Sequence, residues 1–170
     1  MTALENPCDL ETTFKTAMRR LTATVNIITT KEGTVRHGMA ATAVTSVSTA
    51  PPSVLVCINK AASIHDPVMR INRFCINVLA CDHLNIVTLF SGAAKGEDRF
   101  LNAQWEEDED GLPMLEDAQA NLIATVEQKI SYGTHTVFIA KIDRIRTSGA
   151  VEPLLYQDGA LCRATSLQAS

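Results

Sequence analysis

Residues 38–59 of this 170-residue chain combine small side chains, hydroxyls and a Pro-Pro break. Between Thr42 and Ser48 four side chains are hydroxyls, and the alternation of polar and apolar positions predicts a strand. The prolines at 51–52 end it, and the apolar run to Asn59 predicts a second strand. Hydroxyls and free backbone N–H groups beside small side chains suit a planar, anionic ligand lying close to the backbone. A Ser/Thr-rich edge strand that faces water would carry the same pattern.

The sequence contains no motif for acid–base, nucleophilic or metal chemistry. It has no GxGxxG turn after a strand, no Walker A loop, no GxSxG elbow and no HExxH pair. The four histidines lack metal-ligand spacing and are expected to be structural or exposed, apart from the last: His37, His65, His83 and His135. The protein is therefore expected to be either a binding module or an enzyme whose chemistry belongs to a cofactor.

Composition and charge narrow the class of protein. With 46% hydrophobic and 20% charged residues, the 170-residue chain is expected to fold as one soluble domain covering 1–170. A net charge of -4 without a Lys/Arg cluster argues against nucleic-acid binding, and no apolar run is long enough to span a bilayer. The acidic N-terminus and five cysteines without a CxxC pair predict a reducing cytoplasm, with Cys57 and Cys75 as buried, unreactive thiols.

The elements that must position the hydroxyl-rich segment are mostly strands. Helices are predicted over 10–25, with Asp9 as N-cap, over 64–71, opened by a capping box at Ser63, and over 82–90. Strands are predicted at 26–30, from 34 to 48 with its second half at 42–48, at 53–59, 74–80, 121–132 and 135–148. About seven strands with peripheral helices favour a small, mostly antiparallel barrel.

The remaining segments are expected to be irregular. Residues 91–109 are predicted as a loop, and the acidic run at 106–110 as a solvated part of it rather than a metal site. Residues 112–118 are predicted as a brief turn and 149–161 as the last connection. The tail from 163 to 170 is expected to fray.

Motifs in a fixed order along the chain give a resemblance to a known family. They are Phe14-x-x-Ala17-Met18-x-x-Leu21, the segment from Val25 to Thr30, Gly38-Met39-Ala40-Ala41-Thr42-Ala43, Thr45-Ser46-Val47-Ser48, Pro51-Pro52, Cys57-Ile58-Asn59, Ser63-Ile64-His65, Phe74-x-Ile76-Asn77-Val78-Leu79, Phe90-Ser91-Gly92, Arg99-Phe100, Gly133-x-His135-x-x-Phe138-Ile139 and Pro153-Leu154-Leu155-Tyr156. The chain resembles the small flavin reductases of two-component flavin-dependent monooxygenases, and among them the chlorophenol type. The resemblance runs from about Phe14 to about Leu161.

The resemblance implies a mainly β, antiparallel Greek-key split barrel of the FMN-binding type with a few peripheral helices and a core over about 10–162. It implies an NAD(P)H-dependent reductase of free flavin, with NADH and FAD favoured and FMN possible. A separate aromatic monooxygenase is the implied recipient of the reduced flavin, and a homodimer the implied assembly. The alternatives are a flavin- or haem-binding split barrel that oxidises no pyridine nucleotide, and a pyridoxamine-phosphate-oxidase-like enzyme.

The resemblance also implies which residues contact the cofactors. The flavin-binding set is Ala41, Thr42, Ala43, Val44, Ser46, Val47, Ser48, Cys57, Ile58, Asn59, Ser63, Phe90, Arg99 and Tyr156. His135 is implied to lie near the nicotinamide, although Thr134 stands where the family often has Asp. Structural alternatives exist for Phe90 as a core residue, Arg99 as a solvated charge and His135 as the end of a hairpin turn.

Overall fold

The computed structural model describes residues 9–167. The strands are β1 (Ala23–Thr24), β2 (Asn26–Glu32), β3 (Val35–Ala41), β4 (Val44–Thr49), β5 (Pro52–Asn59), β6 (Arg73–Val78), β7 (Trp105–Glu107), β8 (Pro113–Leu115), β9 (Ala120–Tyr132), β10 (His135–Thr147), β11 (Leu154–Gln157) and β12 (Ala160–Arg163). The helices are α1 (Leu10–Met18), α2 (His65–Ile71) and α3 (Leu84–Thr88), and α3 continues into a π-helical turn at Leu89–Ala93 and a 3₁₀ turn at Gly96–Phe100. Within the described part of the chain, no helix has the length and apolarity to cross a membrane.

One seven-stranded antiparallel sheet forms the body of the molecule, in the order β3-β2-β6-β9-β10-β5-β4. Its two edge strands, β3 and β4, are consecutive in the chain and are separated only by Thr42 and Ala43. Because so short a link joins opposite edges, the sheet must curl until those edges approach each other at one end. The edges are not hydrogen-bonded to each other in the described residues, so the barrel stays split. The predicted split-barrel fold is confirmed.

The curled sheet encloses a core and carries a second one outside it. Large apolar side chains that are almost fully buried fill the interior, among them Ile28, Val56 and Phe138. The neighbouring Ile27 points the other way, into a second cluster with Phe90 and others. Successive residues of a strand face opposite sides, so β2 is buried on both faces. The second cluster holds residues 84–105 against the sheet.

The predicted hairpin of long strands is confirmed as β9 and β10, and the strand at 53–59 as β5. The predicted helix over 10–25 is wrong beyond Met18, because residues 23–24 pair with β11 as β1. Helix α1 has no buried residue, and Asp9 makes no side-chain capping hydrogen bond. Its apolar stripe, with Phe14 59% exposed, therefore does not pack on the body of the described chain.

The predicted continuous strand from 34 to 48 is interrupted at Thr42 and Ala43. The Val44 N–H donates to the Thr42 carbonyl at 3.0 Å, which makes a tight turn, and the Ala43 carbonyl accepts from Cys57 N–H at 3.1 Å. The hydroxyl-rich strand β4 therefore starts two residues later than predicted. This break is where the chain passes from one edge of the sheet to the other.

The predicted capping box at Ser63 is wrong. Helix α2 has Ile64 as its N-cap, without a side-chain capping hydrogen bond. The Ser63 hydroxyl instead lies 3.4 Å from the Arg99 Nη1. The predicted connection at 149–161 is also wrong, because it holds β11 and the start of β12. They meet at an Asp158-Gly159 turn with φ of 49° and 84°, the conformation that favours Asp-Gly in hairpins.

The acidic run at 106–110 is exposed as the sequence predicts except at Asp108, and its first two residues belong to β7. The side chain of Asp108 is only 2% exposed and forms ion pairs with Arg73 and Arg144. Asp108 Oδ1 also accepts from the backbone N–H groups of Asp110 and Leu112 at 3.0 and 2.7 Å. These contacts compensate the cost of burying a charge and fix the loop between β7 and β8 on the sheet. The C-terminal fraying predicted for 163–170 falls partly on residues 168–170, outside the described residues.

Candidate functional site

The site begins at a close backbone approach on β3. A Cβ on Gly38 would overlap the Cε1 of Phe90 and lie 3.0 Å from its Cδ1, so only glycine leaves room for that ring. Phe90 is 4% exposed and packs against Phe100 and Trp105, with ring centroids 5.2 and 5.5 Å away. Its side chain is therefore a core residue, and what it can present to a ligand is limited to the edge of the ring and the backbone.

Arg99 fixes the segment of residues 89–100 to β3. Its Nη1 donates to the Gly38 carbonyl at 2.6 Å, and its Nε donates to the Ala94 carbonyl at 3.1 Å. The guanidinium is half-buried, and its Nη1 lies 3.4 Å from the hydroxyl of Ser63. Arg99 is therefore not the solvated charge that its acidic sequence neighbours suggest, because its partners are backbone carbonyls rather than carboxylates.

A second arginine on β3 holds the same segment from its other side. The Arg36 backbone N–H and Nε each donate to the Glu97 carboxylate at 2.8 Å, and the guanidinium lies 4.4 Å from the Phe100 ring centroid. Burial alone would raise the pKa of Glu97, but the hydrogen bonds from Arg36 outweigh it and the pKa is lowered. Glu97 is thus kept ionised as an anchor.

Two adjoining cavities lie between β3 and residues 89–100. One, of about 670 Å³, is lined by Ala41, Thr42, Ser91, Tyr156 and Leu161, among others. The other, of about 530 Å³, is lined by Ala62, Ser63, Phe90, Lys95 and Arg99, among others. Both are lined by Ala40 and Ser91, so they adjoin along the strand, and together they are called here the β3 groove. Its floor is made of small side chains, and hydroxyls and cations stand at one end.

The β3 groove unites six of the predicted contact residues: Ala41, Thr42, Ser63, Phe90, Arg99 and Tyr156. The prediction from sequence omitted Ala40, Ser91 and Lys95, which also line it. Ser91 follows Phe90 within one of the ordered motifs, so a signal for it was present. The same is true of Ala40, which precedes Ala41 in another of these motifs, whereas Lys95 carries no comparable signal because a lone lysine is common at any surface.

The hydroxyl-rich strand β4 lies at the edge of the sheet, outside the walls of the β3 groove. It pairs with β5 on one side only, so the backbone groups of its outer side have no strand partner within residues 9–167. A bulge between Ser46 and Ser48 displaces Val47, which is 49% exposed. The Ser48 hydroxyl accepts from the Ala50 N–H at 3.0 Å and so supports the turn before Pro51. The structure places the predicted Ala43, Val44 and Ser46 along the same edge.

The remaining predicted residues lie at the end of β5. Asn59 pairs with His135 across β5 and β10, and its Oδ1 accepts from the Ala61 N–H at 2.9 Å. The exposed His135 has its Nδ1 2.8 Å from the Thr134 hydroxyl, at the hairpin turn. Cys57 is half-buried and the side chain of Ile58 is fully buried in the core, so Ile58 can offer a ligand only its backbone. These residues do not line the β3 groove.

The other ionisable side chains near the sheet have structural partners. His65 is buried, with its ring nitrogens 2.9 Å from the Asp66 carboxylate and the Thr136 hydroxyl. His83 accepts from the Ala80 N–H at 3.1 Å. Burial raises the pKa of Cys75 to about 12, as expected of an unreactive thiol. Among the residues the structure describes, no three His, Cys, Asp or Glu side chains group as metal ligands would.

Comparison with known proteins assigns the chain to a family. A family profile described as "Flavin reductase like domain" matches residues 18–165. The reductase component of an FADH(2)-dependent resorcinol hydroxylase from Rhizobium sp. is 40% identical over 154 residues, which cover 89% of this chain and 86% of the relative. An FMN reductase (NADH), RutF, from Pseudomonas syringae pv. syringae is 38% identical over 143 residues, covering 84% and 80% of the two chains.

A solved structure shows the same relationship. The crystal structure of a putative flavin reductase from Haemophilus somnus 129pt superposes with a TM-score of 0.86 at 34% sequence identity, covering 90% of this chain and 98% of the other. These findings confirm the resemblance drawn from the ordered motifs, and they favour a reductase over a haem carrier or a pyridoxamine-phosphate oxidase. The chain belongs to the flavin reductase-like family, and it is an enzyme, a flavin reductase.

Proposed function

We propose that the protein uses NADH to reduce free flavin, preferring FAD, and supplies the reduced flavin to a separate monooxygenase of the chlorophenol type. The observation that carries the proposal is the β3 groove. It combines a floor of small side chains with a half-buried, carbonyl-anchored arginine beside hydroxyls. Among the relatives, one is the reductase component of an FADH(2)-dependent resorcinol hydroxylase, and RutF is an FMN reductase that uses NADH.

The residues present fit a flavin. A planar ring needs a surface without bulky side chains, which Ala40 and Ala41 provide on the floor of the groove. A flavin phosphate needs positive charge and donors, and Arg99, Lys95 and Ser63 converge at the other end. The groove is also lined by Tyr156 and Leu161, which offer apolar surface to the ring. Bound flavin would supply the chemistry of the reaction, since it accepts a hydride from nicotinamide.

The protein's own residues then act by binding and orientation. We propose that the backbone of residues 41–44 and the edge of β4 align the ring and stabilise the negative charge that builds on it, and that Arg99 balances the charge of the flavin phosphate. Cys57, Asn59 and Ser63 continue this wall, with Ile58 contributing backbone only. The full proposed contact set is Ala41, Thr42, Ala43, Val44, Ser46, Val47, Ser48, Cys57, Ile58, Asn59, Ser63, Phe90, Arg99 and Tyr156. No side chain is needed as an acid or base, because holding the nicotinamide and flavin rings in contact is enough to accelerate hydride transfer.

His135 is proposed as a positioning residue for the nicotinamide. It is exposed beside Asn59 at the end of β5, where a second substrate can approach from solvent. Thr134, which replaces the aspartate frequent in the family, hydrogen bonds with the His135 ring and so orients it. A homodimer in the cytoplasm completes the proposal, and light scattering on the purified protein measures its assembly.

The decisive experiment mixes purified protein with NADH and either FAD or FMN and follows the absorbance at 340 nm. We expect rapid oxidation that requires added flavin, with a lower KM for FAD than for FMN. Repeating it with NADPH ranks the two pyridine nucleotides. Adding a chlorophenol-type and a resorcinol-type oxygenase in separate reactions tests the recipient. Oxidation of neither nucleotide in the presence of flavin would contradict the proposal.

A further inference from the structure

A third cavity, of about 750 Å³, lies between helix α1 and the tip of the β11–β12 hairpin. Lys15, Arg19 and Arg20 line it on the helix side, and Gln157 and Asp158 on the hairpin side. The Asp158 N–H donates to the Arg19 carbonyl at 3.2 Å, so the helix end and the hairpin tip form one unit. We call this cavity the cationic cleft. None of the contacts proposed for the flavin ring involves it.

The cationic cleft shares the hairpin with the β3 groove. Tyr156 and Leu161 face each other across β11 and β12 and line the β3 groove. Gln157, the next residue along β11, lines the cationic cleft. Successive strand residues point to opposite faces, so the two cavities lie on opposite faces of the hairpin. A ligand with two ends joined by a flexible connection can therefore place one end in each.

The cations of the cleft are neutralised to different degrees, and Lys15 lies 2.5 Å from the Glu11 carboxylate. Three other arginines, Arg36, Arg70 and Arg144, each lie within 2.8 Å of a carboxylate oxygen. Arg19 has a carboxylate only at 3.8 Å, and Arg20 has no ion-pair partner among residues 9–167. Because the chain as a whole has a net charge of -4, we expect these two weakly paired guanidiniums to make the cavity a local site of attraction for an anion.

The chemistry of the lining defines that anion. Two guanidiniums suit a diphosphate, which they can bind with paired hydrogen bonds. The Thr12 hydroxyl adds a donor, whereas the Thr16 hydroxyl donates to the Thr12 carbonyl and can only accept; the Asp158 carboxylate is an acceptor for ribose hydroxyls. We propose, building on the use of FAD and NADH inferred above, that the cationic cleft binds the adenosine diphosphate half of a dinucleotide substrate. FAD and NADH both carry this group, whereas FMN and reduced nicotinamide mononucleotide do not.

The test compares the wild type with R19A/R20A, with K141A as the control for loss of an exposed lysine. Calorimetric titration with ADP measures the cleft directly, and circular dichroism checks folding. We expect ADP to bind the wild type and K141A, and R19A/R20A to bind it about tenfold more weakly. In steady state, the KM of the dinucleotide that uses the cleft rises about tenfold, while kcat and the KM of the matching mononucleotide stay constant.

The adenosine diphosphate group could belong to FAD or to NADH, and comparing each dinucleotide with its mononucleotide distinguishes the two. A rise in KM for FAD but not for FMN assigns the cleft to flavin, and a rise for NADH but not for reduced nicotinamide mononucleotide assigns it to the pyridine nucleotide. The proposal is overturned if the wild type fails to bind ADP at millimolar concentration, or if R19A/R20A binds it equally well. If R19A/R20A does not fold, R20Q is titrated instead.

Failure of this proposal and failure of the proposed function give different results. ADP binding does not depend on turnover, so the titration decides the fate of the cleft even if the wild type oxidises no NADH. Conversely, a wild type that reduces flavin with NADH but ignores ADP retains its function and loses only the cationic cleft.

Discussion

The two parts of the proposed site, the 89–100 wall of the β3 groove and the Asn59–His135 end of the central sheet, are held in different ways. The wall depends on side chains, through the packing of Phe90 against Gly38 and the anchoring of Arg99 to backbone carbonyls. The sheet end depends on the backbone pairing of β5 with β10, and its side chains are exposed. Binding and stability should therefore be coupled at the wall and separable at the sheet end.

The largest expected effect is at Gly38. G38A forces its Cβ into the buried ring of Phe90, and overpacking of this kind costs about 3 kcal/mol. Because the same ring borders the groove, the KM for flavin should rise together with the loss of stability, as measured by urea unfolding and NADH oxidation. F90L replaces the ring by a smaller side chain, so G38A/F90L should lose less stability than the two single variants added together. Additive losses would show that the two residues do not interact.

Asp108 tests stability without binding. D108A leaves two arginines around an empty buried position and should cost about 2 kcal/mol in free energy of unfolding. Asp108 lines neither cavity of the β3 groove, so the KM for flavin should stay unchanged in the folded variant. E109A is the matched control, since its carboxylate is 87% exposed and should contribute under about 0.5 kcal/mol. A flavin defect in D108A would mean that the acidic run and the groove are coupled.

Arg99 is expected to contribute both to stability and to flavin binding, so its variants test whether the two are coupled at the wall. R99Q removes the hydrogen bonds to Gly38 and Ala94, so we expect a loss of about 1 to 2 kcal/mol and a rise of about tenfold in the KM for flavin. R36Q loosens the same segment at Glu97 but lies outside the groove lining, and should lower stability with a smaller change in KM. Equal KM values for R99Q and the wild type would remove Arg99 from the proposed site.

The smallest effect on stability is expected at His135. H135A should change the free energy of unfolding by less than about 0.5 kcal/mol, because the ring is exposed. Its kcat/KM for NADH should fall several-fold while the KM for flavin stays constant, as measured with each substrate varied in turn. T134A tests the orientation of the ring and should give a smaller change in the same direction. An NADH response identical to that of the wild type would leave His135 as a turn residue only.

The sequence predicts those parts of the fold whose causes are local. Alternation and turn residues are enough for β5 and for the hairpin of β9 and β10. The Asp158-Gly159 turn was equally visible, but the four-residue strands that flank it are too short for alternation to be recognised. The burial of Asp108 cannot be seen locally, because its partner Arg144 is 36 residues away in sequence.

The candidate site divides along the same line. Hydroxyls in β4 suggested a ligand, but the assignment of Arg99, Phe90 and Tyr156 came from resemblance to a family. Only the fold shows why these positions meet, since the void that Gly38 leaves is filled by a ring from a segment far along the chain. Lys95 and the cationic cleft have no local signal at all, because a cavity is a property of several elements together.

The two-residue link between β3 and β4 has a consequence for the traffic of flavin. At this seam the two edges of the split barrel are joined by covalent chain rather than by a ladder of hydrogen bonds, so we expect a flavin bound as proposed to enter and leave beside it without breaking any strand pair. A fully closed barrel would have to open locally to release such a ligand, and the ligand would exchange no faster than the barrel opens. The split seam thus suits an enzyme that binds oxidised flavin, reduces it and releases it in every catalytic cycle.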